Sequence, residues 1–283
     1  MNAFHVPRDW RNAAARIERA QRGRILVLGA SDRGKSTFCA YLAWYLLRRG
    51  HRPAYVDADV GQKDIGPPAT ISLGYPALNR PLETLPPAAL YFVGAVTPLA
   101  HLLPMVVGTR KLTEQAGRPF VIINTSGLVT EVGEILKTFQ IDALQPDWIV
   151  TLERDWELEA IVAAHRHFPV LRLAPSPLAQ SKSPELRRQR RLAAFRHHFR
   201  HARSWRIPVS RLILQRLPVG ESQPWETIFT PNRLCALADR RQTVLELALI
   251  RGYDADNHRL TLYSPAQGDC AVLQLGDLHV TLA

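Results

Sequence analysis

The residues best suited to chemistry open a glycine-rich turn, Gly29-Ala30-Ser31-Asp32-Arg33-Gly34-Lys35-Ser36-Thr37, which spells G-x-x-x-x-G-K-S. Two glycines at this spacing let backbone N–H groups wrap a phosphate with no Cβ in the way. Lys35 can reach the β- and γ-phosphates of a nucleotide, and the Ser36 hydroxyl is placed to ligate Mg²⁺. All nine residues are candidates for nucleotide binding, with Lys35 expected on a solvent-facing loop. A second cluster, Asp57-Ala58-Asp59-Val60-Gly61-Gln62, sets two carboxylates at i and i+2 where a strand should end. One of them could join a Mg²⁺ shell or take a proton from an attacking hydroxyl; the residues alone do not choose between them. A third, Asn124-Thr125-Ser126-Gly127, puts polar groups at another strand terminus. Finally Lys182, Arg187, Arg188, Arg190, Arg191, Arg196, Arg200, Arg203 and Arg206 face one nearby acid, Glu185. With Leu186, Phe195 and Phe199 among them they form a helix with a thin apolar seam. It is either a solvated basic face or a mobile arginine lid that neutralises a transferring phosphate.

Elements must bring these groups together. Residues 24–28 are a mostly apolar strand, and Phe38, Leu42, Tyr45 and Leu46 continue from the turn at helical spacing until Gly50. Strand, glycine turn, helix is the context a phosphate-binding loop requires. Ahead of it, Trp10, Ala13, Ala14, Ile17 and Ala20 predict a short helix over 9–22, packed beside the first strand. Further strands are expected at 54–56, 90–93, 120–123, 148–150 and 170–173, with helices over 99–115, 134–144 and 156–167. Residues 64–89 are rich in Pro and Gly and predict an irregular excursion rather than sheet. Strands alternating with helices give a mostly parallel α/β sheet flanked by helices, the P-loop NTPase-like class. Ligands then bind at the carboxyl ends of its strands. Residues 175–183 form a Pro- and Ser-rich hinge into the arginine helix. Strands expected at 210–217, 243–250, 260–263 and 271–275 make a small β-rich C-terminal domain. The chain therefore divides into 1–206, with the lid at about 176–203, and 207–283.

Composition narrows the partners. Lys+Arg 36 against Asp+Glu 25 leaves a net +11, which suits a polyanion, although a basic enzyme without one has the same balance. Cys39, Cys235 and Cys270 are widely spaced with no C-x-x-C, which argues against a disulfide framework and against zinc. No signal peptide and no apolar run long enough to span a bilayer is visible, so a cytoplasmic protein without a membrane partner is expected.

With these residues in place, the chain resembles the polynucleotide 5′-hydroxyl kinase family. That family includes the RNA kinase subunit of the eukaryotic pre-mRNA cleavage factor, the pre-ribosomal RNA 5′-kinases, and smaller archaeal and bacterial members. The likeness runs from Pro7 to the C-terminus. Residues 29–37 resemble the family's phosphate loop, and residues 57–62 its D-x-D-x-G-Q segment, whose second aspartate, here Asp59, is assigned to metal and hydroxyl activation. Gly94-Ala95-Val96-Thr97-Pro98 is similar to the segment whose threonine grips the acceptor. Asn124-Thr125-Ser126-Gly127-Leu128 is similar to the N-T-x-G-W clasp, and residues 183–199 to the arginine lid. The resemblance implies an ATP- and Mg²⁺-dependent kinase of RNA or DNA 5′-hydroxyl ends; a monomer is expected, though no residue pattern sets the oligomeric state. Lys35, Asp59, Arg187, Arg188 and Arg191 would be catalytic, Ser36 and Asp59 would hold the metal, and Gln62, Thr97, Asn124, Thr125 and Gly127 would hold the acceptor. Two departures stand out. Leu128 replaces the tryptophan that stacks on the terminal base, and the phosphate loop opens too early in the chain for the large N-terminal β domain of eukaryotic members. A kinase of a small metabolite and a nucleotide-switched binding protein are the alternatives.

Overall fold

The computed structural model describes residues 5–216, 228–266 and 270–282. Leu217, the end of the strand expected over 210–217, lies outside them. The first sheet has seven strands: β1 (Gly23–Leu28), β2 (Ala54–Ala58), β3 (Thr70–Gly74), β4 (Ala89–Phe92), β5 (Phe120–Thr125), β6 (Trp148–Leu152) and β7 (Val170–Leu173). Their spatial order is β4-β3-β2-β5-β1-β6-β7, and the five from β2 to β7 across the sheet run parallel. Alternation of side chains sends Ile25 and Val27 to one face and Leu26 and Leu28 to the other. The first face is covered by α1 (Arg8–Arg19) and α2 (Lys35–Arg48). The second is covered by α3 (Leu102–Gln115), α4 (Val132–Leu144) and α5 (Glu159–Ala164). Apolar strands buried on both faces follow from this two-sided cover.

Several boundaries differ from expectation. The first helix stops at Arg19 and leaves Gly23 to start β1, and its face packs on α2 and β7 in the same core cluster as Ile25 and Val27 of β1, with Trp10 edge-on to Phe38 at 5.4 Å. The helix expected over 156–167 is only Glu159–Ala164. The stretch 64–89 is not wholly irregular. Thr70–Gly74 forms β3, antiparallel to β2 and β4, because Ile71 and Leu73 can join the core beside Val56. The prolines on either side hid a strand of five residues that carries no proline itself.

After α6 (Pro184–His198) a second sheet begins. Its strands are β8 (Arg203–Pro208), β9 (Ile213–Arg216), β10 (Arg233–Ala238), β11 (Val244–Asp254), β12 (Arg259–Ser264) and β13 (Val272–His279), in the order β8-β12-β11-β10-β13-β9. Strand β8 straddles residue 206 and pairs with β12. Cys235 and Leu237 face one core, while Leu234 and Ala236 face another that also takes Phe195 and Phe199 of α6 and Phe92 of β4. Helix α6 thus lies between the two sheets.

Candidate active site

The loop 29–34 leaves β1 between β5 and β6, at the carboxyl edge of the parallel strands. Its backbone shape demands glycine at both ends. A Cβ on Gly29 would lie 2.5 Å from the Leu152 carbonyl oxygen, and Gly34 caps α2 at φ +90°. Lys35 opens α2 and is only 7% exposed; its Nζ donates to the Ala30 carbonyl at 2.9 Å. It is therefore not on a solvent-facing loop but folded back beneath it. Burial lowers its pKa, and the charge of Asp59 opposes that. Lys35, Ser36, Thr37, Asp59 and Gln62 line a cleft of about 400 Å³.

The two aspartates do different work because β2 ends at Ala58, so the chain turns before Asp59 can repeat the direction of Asp57. Asp57 is fully buried. Its carboxylate accepts from the Asp64 and Ile65 N–H groups at 2.6 and 3.1 Å, and Lys63 pairs with it at 3.3 Å. Burial raises its pKa, and Lys63 counters. In Asp59 one oxygen, Oδ1, accepts from the Gly61 and Gln62 N–H groups at 3.0 and 2.9 Å, which fixes the carboxylate at the cleft wall. A third acid, Asp64, was not foreseen. It accepts from Tyr55 Oη at 2.6 Å and Asn124 Nδ2 at 3.2 Å and is bonded to the Ser36 hydroxyl. Burial and the neighbouring Asp57 push it up to about 7.

Across the cleft lie residues 176–182 and the start of α6. Asp32 accepts from the Lys182 N–H at 3.0 Å and from Arg187 at 2.5 Å, tying the phosphate loop to the start of α6. Burial would raise the Asp32 pKa, but the Lys182 N–H and Arg187 outweigh it and hold the group low. Arg187 lines the first cleft; Arg190 and Arg191 line a second of about 240 Å³ that shares Ser36, Thr37, Gln62 and Lys182 with it. Burial, then the Arg187 and Arg188 charges, lower the Arg191 pKa. Arg188 points away: its side chain is 67% exposed and pairs with Glu185. Arg33 also leaves the cleft, in a two-pronged ion pair with Glu157 at 2.7 Å on both contacts.

The acceptor candidates separate in the same way. Gln62 lines both clefts. Thr97 is exposed and near the Asp59 turn, since Gly61 packs on the Val96 carbonyl. Gly127 is where the clasp segment meets the phosphate loop; a Cβ there would lie 2.4 Å from Ser31 Oγ. Asn124 and Thr125, however, are buried. The Thr125 hydroxyl donates to the Val27 carbonyl at 2.8 Å, and Asn124 Nδ2 reaches Ser36 Oγ at 3.2 Å, so both side chains are held by partners inside the protein. The far wall of the first cleft went unforeseen as well: His5, Trp10, Ser176, Leu178 and Gln180. Helix α1 and the residues before it hold this wall, through Trp10 Nε1 to the Ala174 carbonyl at 2.9 Å and His5 to Ser176 Oγ at 3.1 Å. No motif marks these residues; the one available signal was an aromatic and a proline-rich hinge flanking a phosphate loop.

Among the described residues no helix is long and apolar enough to cross a membrane, and no group of three His, Cys, Asp or Glu residues could hold a metal ion. The three cysteines are buried, and none of them is in a disulfide.

Comparison with known proteins gives a consistent result. Residues 29–201 match the family model described as mRNA cleavage and polyadenylation factor CLP1 P-loop. The chain is 41% identical over 205 residues to a polyribonucleotide 5′-hydroxyl-kinase of Pyrococcus furiosus, covering 71% of this chain and 57% of that one. It is 34% identical over 214 residues to the Methanocaldococcus jannaschii protein of the same name, covering 74% and 59%. Against the Xenopus laevis polyribonucleotide 5′-hydroxyl-kinase Clp1 it is 27% identical over 297 residues, covering 86% and 66%. The matched stretch thus spans somewhat over half the length of these archaeal relatives. In fold, the chain superposes with a TM-score of 0.71 on the structure of a wild-type Clp1p–Pcf11p complex, at 15% identity, over 98% of this chain and 80% of that one.

Proposed function

The chain belongs to the CLP1 P-loop family, and on that premise we propose that it transfers the γ-phosphate of ATP to the 5′-hydroxyl end of a polynucleotide. The observation that carries this reading is the Asp59 carboxylate. It is held by one oxygen against two backbone N–H groups, in the cleft that Lys35 and Arg187 also line. A carboxylate so held can accept the hydroxyl proton as the oxygen attacks. Asp57, occupied by Lys63 and two N–H groups, is not free to do so. Lys35 would carry the charge of the transferring phosphate, and Arg187 and Arg191 would meet that charge from the lid. The wall of Leu178, Ala179 and Trp10 offers an apolar seat for a base. The names of the relatives support RNA as the acceptor class.

The donor set also suits Mg²⁺. Ser36 and Asp59 would hold it, with Asp64 beside Ser36 orienting water, and the buried Asn124 Oδ1 has no partner of its own. Bound there, the ion would neutralise the negative charge of the nucleotide phosphates.

The test is γ-labelled ATP with 5′-hydroxyl RNA, 5′-hydroxyl DNA and the 5′-phosphorylated form of each. Label should enter only the hydroxyl forms, and Lys35→Ala should abolish it. No group here is assigned to read a 2′-hydroxyl, so RNA and DNA are expected within about tenfold in kcat/KM, or ~1.4 kcal/mol. Tight ATP binding with no transfer to any acceptor would instead make this a nucleotide-switched binding protein.

A further inference from the structure

Three lysine side chains are buried near the cleft: Lys35 lines it, Lys63 pairs with Asp57, and the third has no such task. That third one, Lys137, lies on α4 among Leu136, Ile141 and Leu144, the positions that face the sheet, and is 0% exposed. Its Nζ donates to Ser126 Oγ at 3.2 Å, and among the described residues no carboxylate forms an ion pair with it. An ammonium without water or counter-ion is strongly disfavoured, so the amine sits where an apolar residue would be easier to hold. Its position gives it a use. Ser126 precedes Gly127, which packs on Ser31 of the phosphate loop, so Nζ lies just behind the junction of the acceptor segment with that loop.

We propose that Lys137 is a positioning residue of the transfer site, taking up a proton from solvent when a nucleotide's phosphates settle on the loop and then orienting the Ser126 hydroxyl. Once the Ser126 oxygen accepts from an ammonium, its own hydrogen is left for an acceptor in the cleft. The charged groups that act on the amine are Lys35, from the first turn of α2, which repels its proton, and Asp59, from the turn after β2, which attracts it. Burial first and Lys35 second bring the amine down to about 7. Phosphates beside Lys35 cancel that repulsion and add attraction through a medium that screens poorly, so the proton is bound more tightly. The proton uptake rests only on the phosphate loop; the effect on transfer rests on the kinase reading.

The experiment uses the full chain and Mg²⁺-ADP as the probe. Calorimetry at pH 8 in two buffers of different ionisation enthalpy counts the protons exchanged on binding. Wild type should take up roughly half a proton more per nucleotide than Lys137→Met or Lys137→Gln, since the free amine is then mostly neutral. Protons exchanged by Lys35 or the nucleotide cancel in the difference. In transfer to 5′-hydroxyl RNA, both variants should lose about tenfold in kcat, and their affinity for ATP should fall by only a few-fold, the part linked to the proton taken up on binding. Stability supplies a check on the amine itself. The folded amine titrates near 7 and the unfolded one near 10.4, so the native state binds fewer protons between those values. Wild type should therefore gain stability relative to Lys137→Met as pH rises from 7 to 10. Equal proton uptake in wild type and whichever variant folds would overturn the proposal, whatever the kinetics. Absence of transfer by wild type, with the proton difference present, would instead remove the kinase reading and leave the linkage standing.

Discussion

At the scale of single residues, the choice between two aspartates decides the chemistry. Asp57 and Asp59 are two positions apart, yet one is spent on holding the loop 63–65 and the other faces the cleft. Asp59→Asn should lower kcat by a factor on the order of 10²–10⁴, the usual worth of a general acid–base group, with ATP affinity largely kept. Asp57→Asn should act differently. It leaves Lys63 buried without its partner, so it should lower Tm before it changes kcat. Thermal melts beside steady-state kinetics on both variants separate the cases. A crippled Asp57→Asn with an unchanged Tm, beside a mild Asp59→Asn, would reverse the assignment. The sequence pattern gave both aspartates equal standing; the turn after Ala58 distinguishes them.

Among the elements, α6 has the most consequence. Its arginines were legible as a group, because five of the nine cations between residues 182 and 206 lie on α6 and only one acid, Glu185, stands among them. Which of them face the cleft depends on the rotation of the helix, and that is set by Phe195 and Phe199 docking in the core between the sheets. That docking turns Arg187 and Arg191 inward and Arg188 outward. Charge reversal should follow the same division. Arg187→Glu and Arg191→Glu should each lower the transfer rate and flatten the salt dependence of acceptor binding, since fewer phosphate contacts release fewer counterions. Arg188→Glu should stay near wild type in rate, because an exposed pair with Glu185 contributes little. Equal losses at all three positions, measured as initial rates over a salt series, would show that the helix turns when the polymer binds.

For the molecule as a whole, the second sheet is part of the site's support rather than an appendage. It covers α6 on one face, and Gly276 meets Gly94 backbone to backbone, where a Cβ on Gly94 would lie 2.7 Å from the Gly276 Cα. Gly94 opens the segment that carries Thr97, and Asp277 donates its N–H to the Gly94 carbonyl at 3.0 Å and pairs with His101 at 3.2 Å. The segment that carries Thr97 and helix α6 are thus both anchored on the second sheet. Phe199, 1% exposed at that junction, should cost about 3–5 kcal/mol when cut to alanine. Phe199→Ala should therefore melt several degrees lower and also lose transfer rate, because the lid loses its seat. A lower Tm with undiminished kcat would show that the seat is not needed for transfer.

The sequence by itself determined what local chemistry can determine. A glycine-lysine-serine turn between an apolar strand and a helix, a D-x-D at the next parallel strand's end and a dense arginine helix each carry their meaning within ten or twenty residues. The alternation of strands and helices then orders them along one edge of a sheet. Tertiary structure decided the rest, because it depends on residues far apart in the chain. Strand β3 exists because the neighbouring β2 and β4 take its hydrogen bonds, although prolines surround it. Thr125 and Asn124 turn inward because Val27 and Ser36 lie opposite them, and no spacing within residues 124–128 reveals that. Asp64 enters the site because Tyr55, Ser36 and Asn124 converge on it from three elements. Burial and partner geometry are properties of the packed sheet; a sequence motif gives the type of a group, and packing decides whether that group is free to act.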